Sequence, residues 1–395
     1  MILSILFTLV GVLLISIVLF DVFMTVLHPQ AESPFSTRFQ TSMWSFLRWA
    51  SRGLRGRVRH RFLGLAIPIM VAGLIALWIG LLLVAFGVIY AAWIDSPGAF
   101  KLPDPLIAPG WWDALYFSGV TITTTGYGDF IPIDPLLRLA SILEGISGMA
   151  ILSFSVAYVL GVYPSLQRQR VLAVLLNEET DGQVSGLPML RRYLRRGDFG
   201  AMASLLTTIN LEFLFLVEAH NRVPILHYTH PTDVERSFLR VLLVVQNLVG
   251  TLRYGVAGGK GLEWSTDPRV LDLEDSLFHA LHTLGSSKQL PIAPNMDGHS
   301  AQEAGKRFDQ LLDNLKTARL PTPDPAPGKN GLPSDLSRSR RAYIRFYAAS
   351  DIPLLSYLQN SGYSYVEATD DAARPQKLVE ELETNSPAQT TSVID

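Results

Sequence analysis

Thr-Ile-Thr-Thr-Thr-Gly-Tyr-Gly-Asp-Phe, residues 121–130, decides how the chain is read. Pointing successive carbonyls along one axis needs alternating backbone angles that L-residues resist. Gly126 and Gly128 supply two positions where a positive φ costs little. Immediately upstream, Trp111 to Thr123 is a short apolar-aromatic stretch that follows the Pro109-Gly110 breaker and carries Asp113 in its first turn, as a helix N-terminus favours. A helix of that length spans about 20 Å, enough to enter a bilayer halfway and stop. Its negative dipole end would then face the glycine strand, where a cation gains from it.

Working outward, residues 2–20, 63–94 and 136–163 are long apolar runs, each meeting or exceeding the ~18 residues that mark a membrane-spanning helix. The third carries only Arg138 and Glu144 as charges. Hydrophobic residues make up 48% of the 395 and gather in the first 165; the remainder reads as soluble. The first run lacks a basic leader and a small-residue cleavage pattern, so it is expected to be retained as a helix. With no cysteine, disulfides, thiol chemistry and zinc–thiolate sites are excluded.

The filter-like strand with its preceding helix resembles the selectivity filter and two-helix pore module of the potassium channel superfamily, prokaryotic type, over about 63–165. The resemblance implies that the carbonyls of Thr124, Thr125, Gly126 and Tyr127, with the Thr124 hydroxyl, replace the water shell of K+. It makes Thr124, Thr125, Gly126, Tyr127 and Gly128 the conducting residues and puts the Asp129 carboxylate at the outer mouth, with Tyr127 turned away from the pore as a brace. One filter per chain implies a homotetramer. Gly148, with Gly145 one turn earlier, stands where related channels often place a gating hinge; close helix packing explains Gly148 equally well. Helical projection turns Met149, Leu152 and Val156 toward the inner cavity.

The chain departs from the family around the filter. Tyr116 and Phe117 occupy the place of paired tryptophans, so the indole donors that brace the filter tyrosine and aspartate are missing. Val120 stands where some members carry glutamate, and Thr125 where Val or Ile is commoner. Glu144 is expected to find a partner behind the filter, on the pore helix or outer helix, rather than to line the pore. Asp21 is expected to reach the interface or an arginine such as Arg61.

Charge sets the expected topology. Residues 29–62 hold seven arginines and one acid, Glu32; residues 96–110 hold only Lys101 and Asp104. The positive-inside rule puts 29–62 and the C-terminus in the cytoplasm and the N-terminus outside a plasma (inner) membrane. Phe39, Met43, Leu47, Ala50 and Leu54 recur at helical spacing, and with Trp44 and Trp49 they suggest a helix lying on anionic lipid headgroups along the Arg48–Arg61 linker.

The expected architecture is an all-α membrane protein. It comprises an N-terminal helix (1–28), a basic linker (29–62), the pore module and a helical cytosolic domain (166–362), with a disordered tail (363–395). Within the module, 63–94, the pore helix 111–123, the filter 124–128 and 136–163 follow in order, the last helix ending at Tyr163-Pro164. Cytosolic helices are expected near 165–177, 187–195, 199–220, 233–255, 268–285, 301–317 and 336–361, with a Thr232/Glu235 capping box. Asn210, Glu212 and Glu218 mark 201–219 as soluble core rather than a span. His220, His227, His230 and Asp233 cluster in sequence but match no zinc spacing. Enzymatic chemistry, cofactors and nucleic-acid partners are not expected; an unidentified cytosolic ligand is. The functional expectation is a potassium-selective channel, the alternatives being a weakly selective cation channel or a non-conducting membrane sensor or scaffold.

Overall fold

The computed structural model of the chain describes residues 2–27, 33–54, 56–102, 108–256, 264–286, 299–318, 320, 322–325 and 335–361. The 363–395 tail expected to be disordered lies outside them. Two compact units are present: Met1–Leu166 with Ala219–Tyr228, and Gln167–Glu218 with Thr229–Asp395.

The first unit is built on α1 (Ile2–Leu27) and α4 (Ala66–Ala91), both apolar around their whole circumference. They are among four helices long and apolar enough to cross a membrane, with α6 (Pro135–Glu179) and α8 (Phe199–Arg222). Gly11 lets α1 approach α4 closely: a Cβ there would lie 2.8 Å from the Ala85 carbonyl oxygen and meet Ile89. Two indoles, Trp78 of α4 and Trp93 of the turn that follows it, then pin α1. Trp93 Nε1 donates to Thr8 Oγ1 at 2.9 Å, and Trp78 Nε1 donates to Asp21 Oδ2 at 3.0 Å.

Asp21 does not reach Arg61. It is 1% exposed and faces the N-terminus of α2 (Pro34–Ala50). Its carboxylate accepts the Ser33 and Ser36 hydroxyls, each at 2.5 Å, and the Phe35 and Ser36 amides at 3.0 and 3.3 Å. The orphan amides and positive dipole end of α2 supply what an arginine was expected to supply. Pro34 favours the helix start for the same reason, having no amide to satisfy.

α5 (Trp111–Ile122) begins as expected: the Asp113 carboxylate accepts the Gly110 amide at 2.7 Å. Two short strands, β1 (Phe100–Lys101) and β2 (Ile131–Pro132), pair antiparallel with Phe100 opposite Pro132. They tie the chain before α5 to the chain after residues 124–128. α6 does not stop at Tyr163-Pro164 but continues through Pro164 to Glu179. Proline removes the amide that would bond the Leu160 carbonyl, yet the turns on either side keep their ladders, so the helix survives the loss of one bond.

The second unit packs α7 (Leu187–Arg196), most of α8, α9 (Phe238–Val249), α10 (Pro268–Ser286), α11 (His299–Thr317) and α12 (Asp335–Ser361) around Phe213, Leu242, Phe308 and Tyr347. α8 buries Met202, Leu206, Ile209 and Phe213 in this core while Leu211 and Phe215 stay exposed. Asn210 accepts the Ser276 hydroxyl of α10 at 2.7 Å. The helix expected from 233 begins only at Phe238. Ser237 is extended and its hydroxyl accepts the Arg240 amide, so Ser237 is the cap; Glu235 instead accepts the Asn177 side-chain amide.

Candidate functional site

The strand after α5 has positive φ at alternate residues: +58° at Thr124, +59° at Gly126 and +77° at Gly128. The two glycines were legible as such positions. Thr124 was not, since a threonine in this region costs of order 1–3 kcal/mol and persists only where its surroundings enforce it. The end of α5 does so. The Val120 carbonyl accepts the amides of Thr125 (2.9 Å) and Gly126 (3.3 Å), and Thr121 accepts that of Thr124 (3.0 Å). Thr123 Oγ1 lies 2.9 Å from Thr125 Oγ1. Val120 thus touches the strand through its backbone.

The end of the strand is braced by a donor the tryptophan comparison hid. Tyr116 Oη donates to Asp129 Oδ2 at 2.8 Å, and the Tyr116 ring meets Phe130 edge-on at 6.0 Å. Phe117 turns the other way, packing edge-on against Tyr90 (4.8 Å) and Phe100 (5.2 Å). Within one chain the Tyr127 ring is 72% exposed.

Behind the strand, Glu144 of α6 is fully buried. Tyr90 of α4 donates to its Oε2 at 2.7 Å, and Ser118 of α5 lies 2.5 Å from its Oε1. These are partners on the outer helix and the pore helix; the signal in sequence was a tyrosine and a serine inside apolar runs. The Ser118 hydroxyl also lies 2.9 Å from the Leu83 carbonyl. The one hydroxyl thus faces two acceptors, the Glu144 carboxyl and the Leu83 carbonyl. Gly148 sits where a Cβ would run into the Ile122 carbonyl, at the foot of α5, whereas a Cβ on Gly145 meets nothing within 4 Å. Met149, Leu152 and Val156 are exposed on α6.

Residues 77–163, which hold this strand, its helix and the adjoining parts of both flanking helices, match a family model described as ion channel. The segment is an ion-channel pore module. Over 248 residues, 62% of this chain and 69% of the relative, the sequence is 27% identical to the uncharacterized membrane protein YdjJ of Bacillus subtilis strain 168. No solved structure matches. The chain is therefore a mainly helical membrane protein carrying an ion-channel pore module.

Two features flank the module. The basic linker forms α2, a short 3-10 turn (Ser51–Gly53) and α3 (Gly56–Gly64). Burial, and then the like charges of Arg52 and Arg59, hold the Arg48 pKa below the ordinary guanidinium value. Pro224–Tyr228 packs on α2, with the Tyr228 and Trp44 rings 5.6 Å apart and the Tyr228 hydroxyl 3.3 Å from Thr41 Oγ1. His227 is buried there beside His220, their rings 5.6 Å apart, and burial pushes its pKa down to about 4. His230 and Asp233 fall in the other unit, and among the described residues no three His, Asp or Glu side chains converge on a metal site.

Proposed function

We propose that the chain is a subunit of a homotetrameric, potassium-selective channel of the plasma membrane, conducting passively through Thr124, Thr125, Gly126, Tyr127 and Gly128. The observation that carries this reading is the alternation of positive φ at Thr124, Gly126 and Gly128 within Thr-Thr-Gly-Tyr-Gly-Asp. Such a strand can aim consecutive carbonyls at one axis, and four copies would close a ring of oxygens around a dehydrated cation. Tyr116–Asp129 supplies a brace in place of the missing indoles, which favours a selective filter over a loose one.

The N-terminus lies outside and the C-terminus in the cytoplasm, by the arginine bias of 29–62. The crowded Arg48, Arg52 and Arg59 suit anionic lipid headgroups. The second unit gates the pore by moving α6 near Tyr163. Potassium flux into proteoliposomes, beside a Gly126→Asp control and a sodium gradient, tests the core of this reading. Flux that favours potassium and vanishes in the control is expected. Equal sodium and potassium flux would make it a weakly selective channel; absence of flux both from the full chain and after deletion of 171–395 would count against conduction.

A further inference from the structure

The turn joining α6 to α7 is strained and held from two sides. Asp181 and Gly182 are consecutive left-handed residues, with φ of +51° and +76°. A non-glycine residue in that region is costly and marks a place to look for function. Arg192 holds the turn from α7, reaching Asp181 Oδ1 at 2.6 Å and Glu179 Oε2 at 3.1 Å. Arg240, 5% exposed, holds it from α9 by donating to the Gly182 carbonyl at 2.5 Å.

α7 itself is fixed. Met189 and Leu190 are fully buried, and a Cβ on Gly186 would lie 3.0 Å from the Leu248 Cα. Tyr193 donates to Glu179 at 3.3 Å. On this rigid helix Arg191 and Arg195 are one turn apart, on one face with Arg192. The three line a cavity of about 280 Å³ together with Asp181 and Gln183. Asp181 is engaged by Arg192; among the described residues Arg191 and Arg195 have no ion pair.

We propose that this corner of the second unit binds a phosphate-bearing anion, held by Arg191 and Arg195. Two guanidinium forks one helical turn apart offer paired donors to phosphate oxygens, and Arg192, locked by its carboxylates, shapes the wall. The cavity suits a small phosphorylated molecule or one lipid headgroup. Binding here needs no conduction, so it stands or falls apart from the channel reading.

The test is calorimetric titration of the purified full chain in detergent with inorganic pyrophosphate, and separately with short-chain phosphatidylglycerol. R191Q and R195Q are each expected to weaken binding by about tenfold, and the double variant to abolish it. R191K/R195K, which keeps the charge but not the fork, is expected to lie between. Melting temperatures of all variants within a few degrees of the parent show that the fold is kept. Saturable pyrophosphate binding lost in the double variant supports a soluble ligand; phosphatidylglycerol binding alone, lost likewise, supports a headgroup. Saturable binding of neither probe, or binding unchanged in the double variant, overturns the site.

Discussion

The Trp78 indole nitrogen and the Asp21 carboxylate, 57 residues apart, meet at 3.0 Å and join three helices at one point. Asp21 belongs to α1, Trp78 to α4, and the amides and hydroxyls that complete its shell belong to the start of α2. Every neighbour is a donor, so the set suits a carboxylate that only accepts. Asp21→Asn puts an amide group against those donors and is expected to lower the melting temperature of the detergent-solubilised protein by several degrees. Each buried donor left without an acceptor costs about 1–3 kcal/mol. Trp78→Phe removes one donor and should do less. An Asp21→Asn protein that melts with the parent would show that the shell does not hold α2.

Glu144 predicts the reverse. Its side chain faces the Tyr90 and Ser118 hydroxyls in a buried site, and glutamine keeps its length, with an oxygen for Tyr90 and an amide group beside the Ser118 hydroxyl. Glu144→Gln is expected to melt close to the parent, while Glu144→Ala, which opens a cavity and strands two hydroxyls, is expected to lose several kcal/mol. Equal losses in both variants would mean that the negative charge itself is needed.

The two carboxylates also show what the sequence could and could not tell. The long apolar runs, the half-length helix and the glycine strand were legible because each rests on local composition or periodicity. That Glu144 needed a partner was legible too, since a lone acid in an apolar run demands one. Which residue answers is a matter of packing: Tyr90 and Ser118 lie 54 and 26 positions away. Asp21 was expected at the interface or beside an arginine because water and charge pairs are the obvious remedies, and a helix N-terminus as counter-charge depends on where α2 starts in space. Pro164 read as a stop because local rules say so, yet the ladders on either side carry the helix through it at the loss of one bond. The α6–α7 arginine pocket left no mark beyond a basic helix end.

Gly148 and Gly145 separate packing from mere helix flexibility. A methyl on Gly148 meets the Ile122 backbone, which cannot swing aside, whereas one on Gly145 enters open space in the single chain. Gly148→Ala is expected to lower the melting temperature markedly. Gly145→Ala is expected to be neutral or to add up to about 1 kcal/mol through helix propensity, unless a neighbouring subunit fills that space. Similar behaviour of the two variants would remove the packing role of Gly148.

Tyr116→Phe removes the hydroxyl donor to Asp129 Oδ2 while keeping the ring against Phe130. If the channel reading holds, the potassium-to-sodium flux ratio in proteoliposomes is expected to fall a few-fold with the total flux retained. An unchanged ratio would assign the filter's outer rigidity elsewhere, to contacts between subunits.

His227 gives the protein an acid limit. Its pKa falls from 6.5 to about 4 because burial penalises the imidazolium. Unfolded chains therefore bind this proton first as pH falls, and stability declines between pH 6.5 and 4, the contribution being fully present above that window. At about 1.4 kcal/mol per unit the full loss is of order 3 kcal/mol. His227→Leu, which keeps an apolar body beside His220 and Tyr228, should flatten this part of the profile when melting temperature is followed from pH 7.5 to 4.5. A slope as steep in His227→Leu as in the parent would place the acid sensitivity in another group.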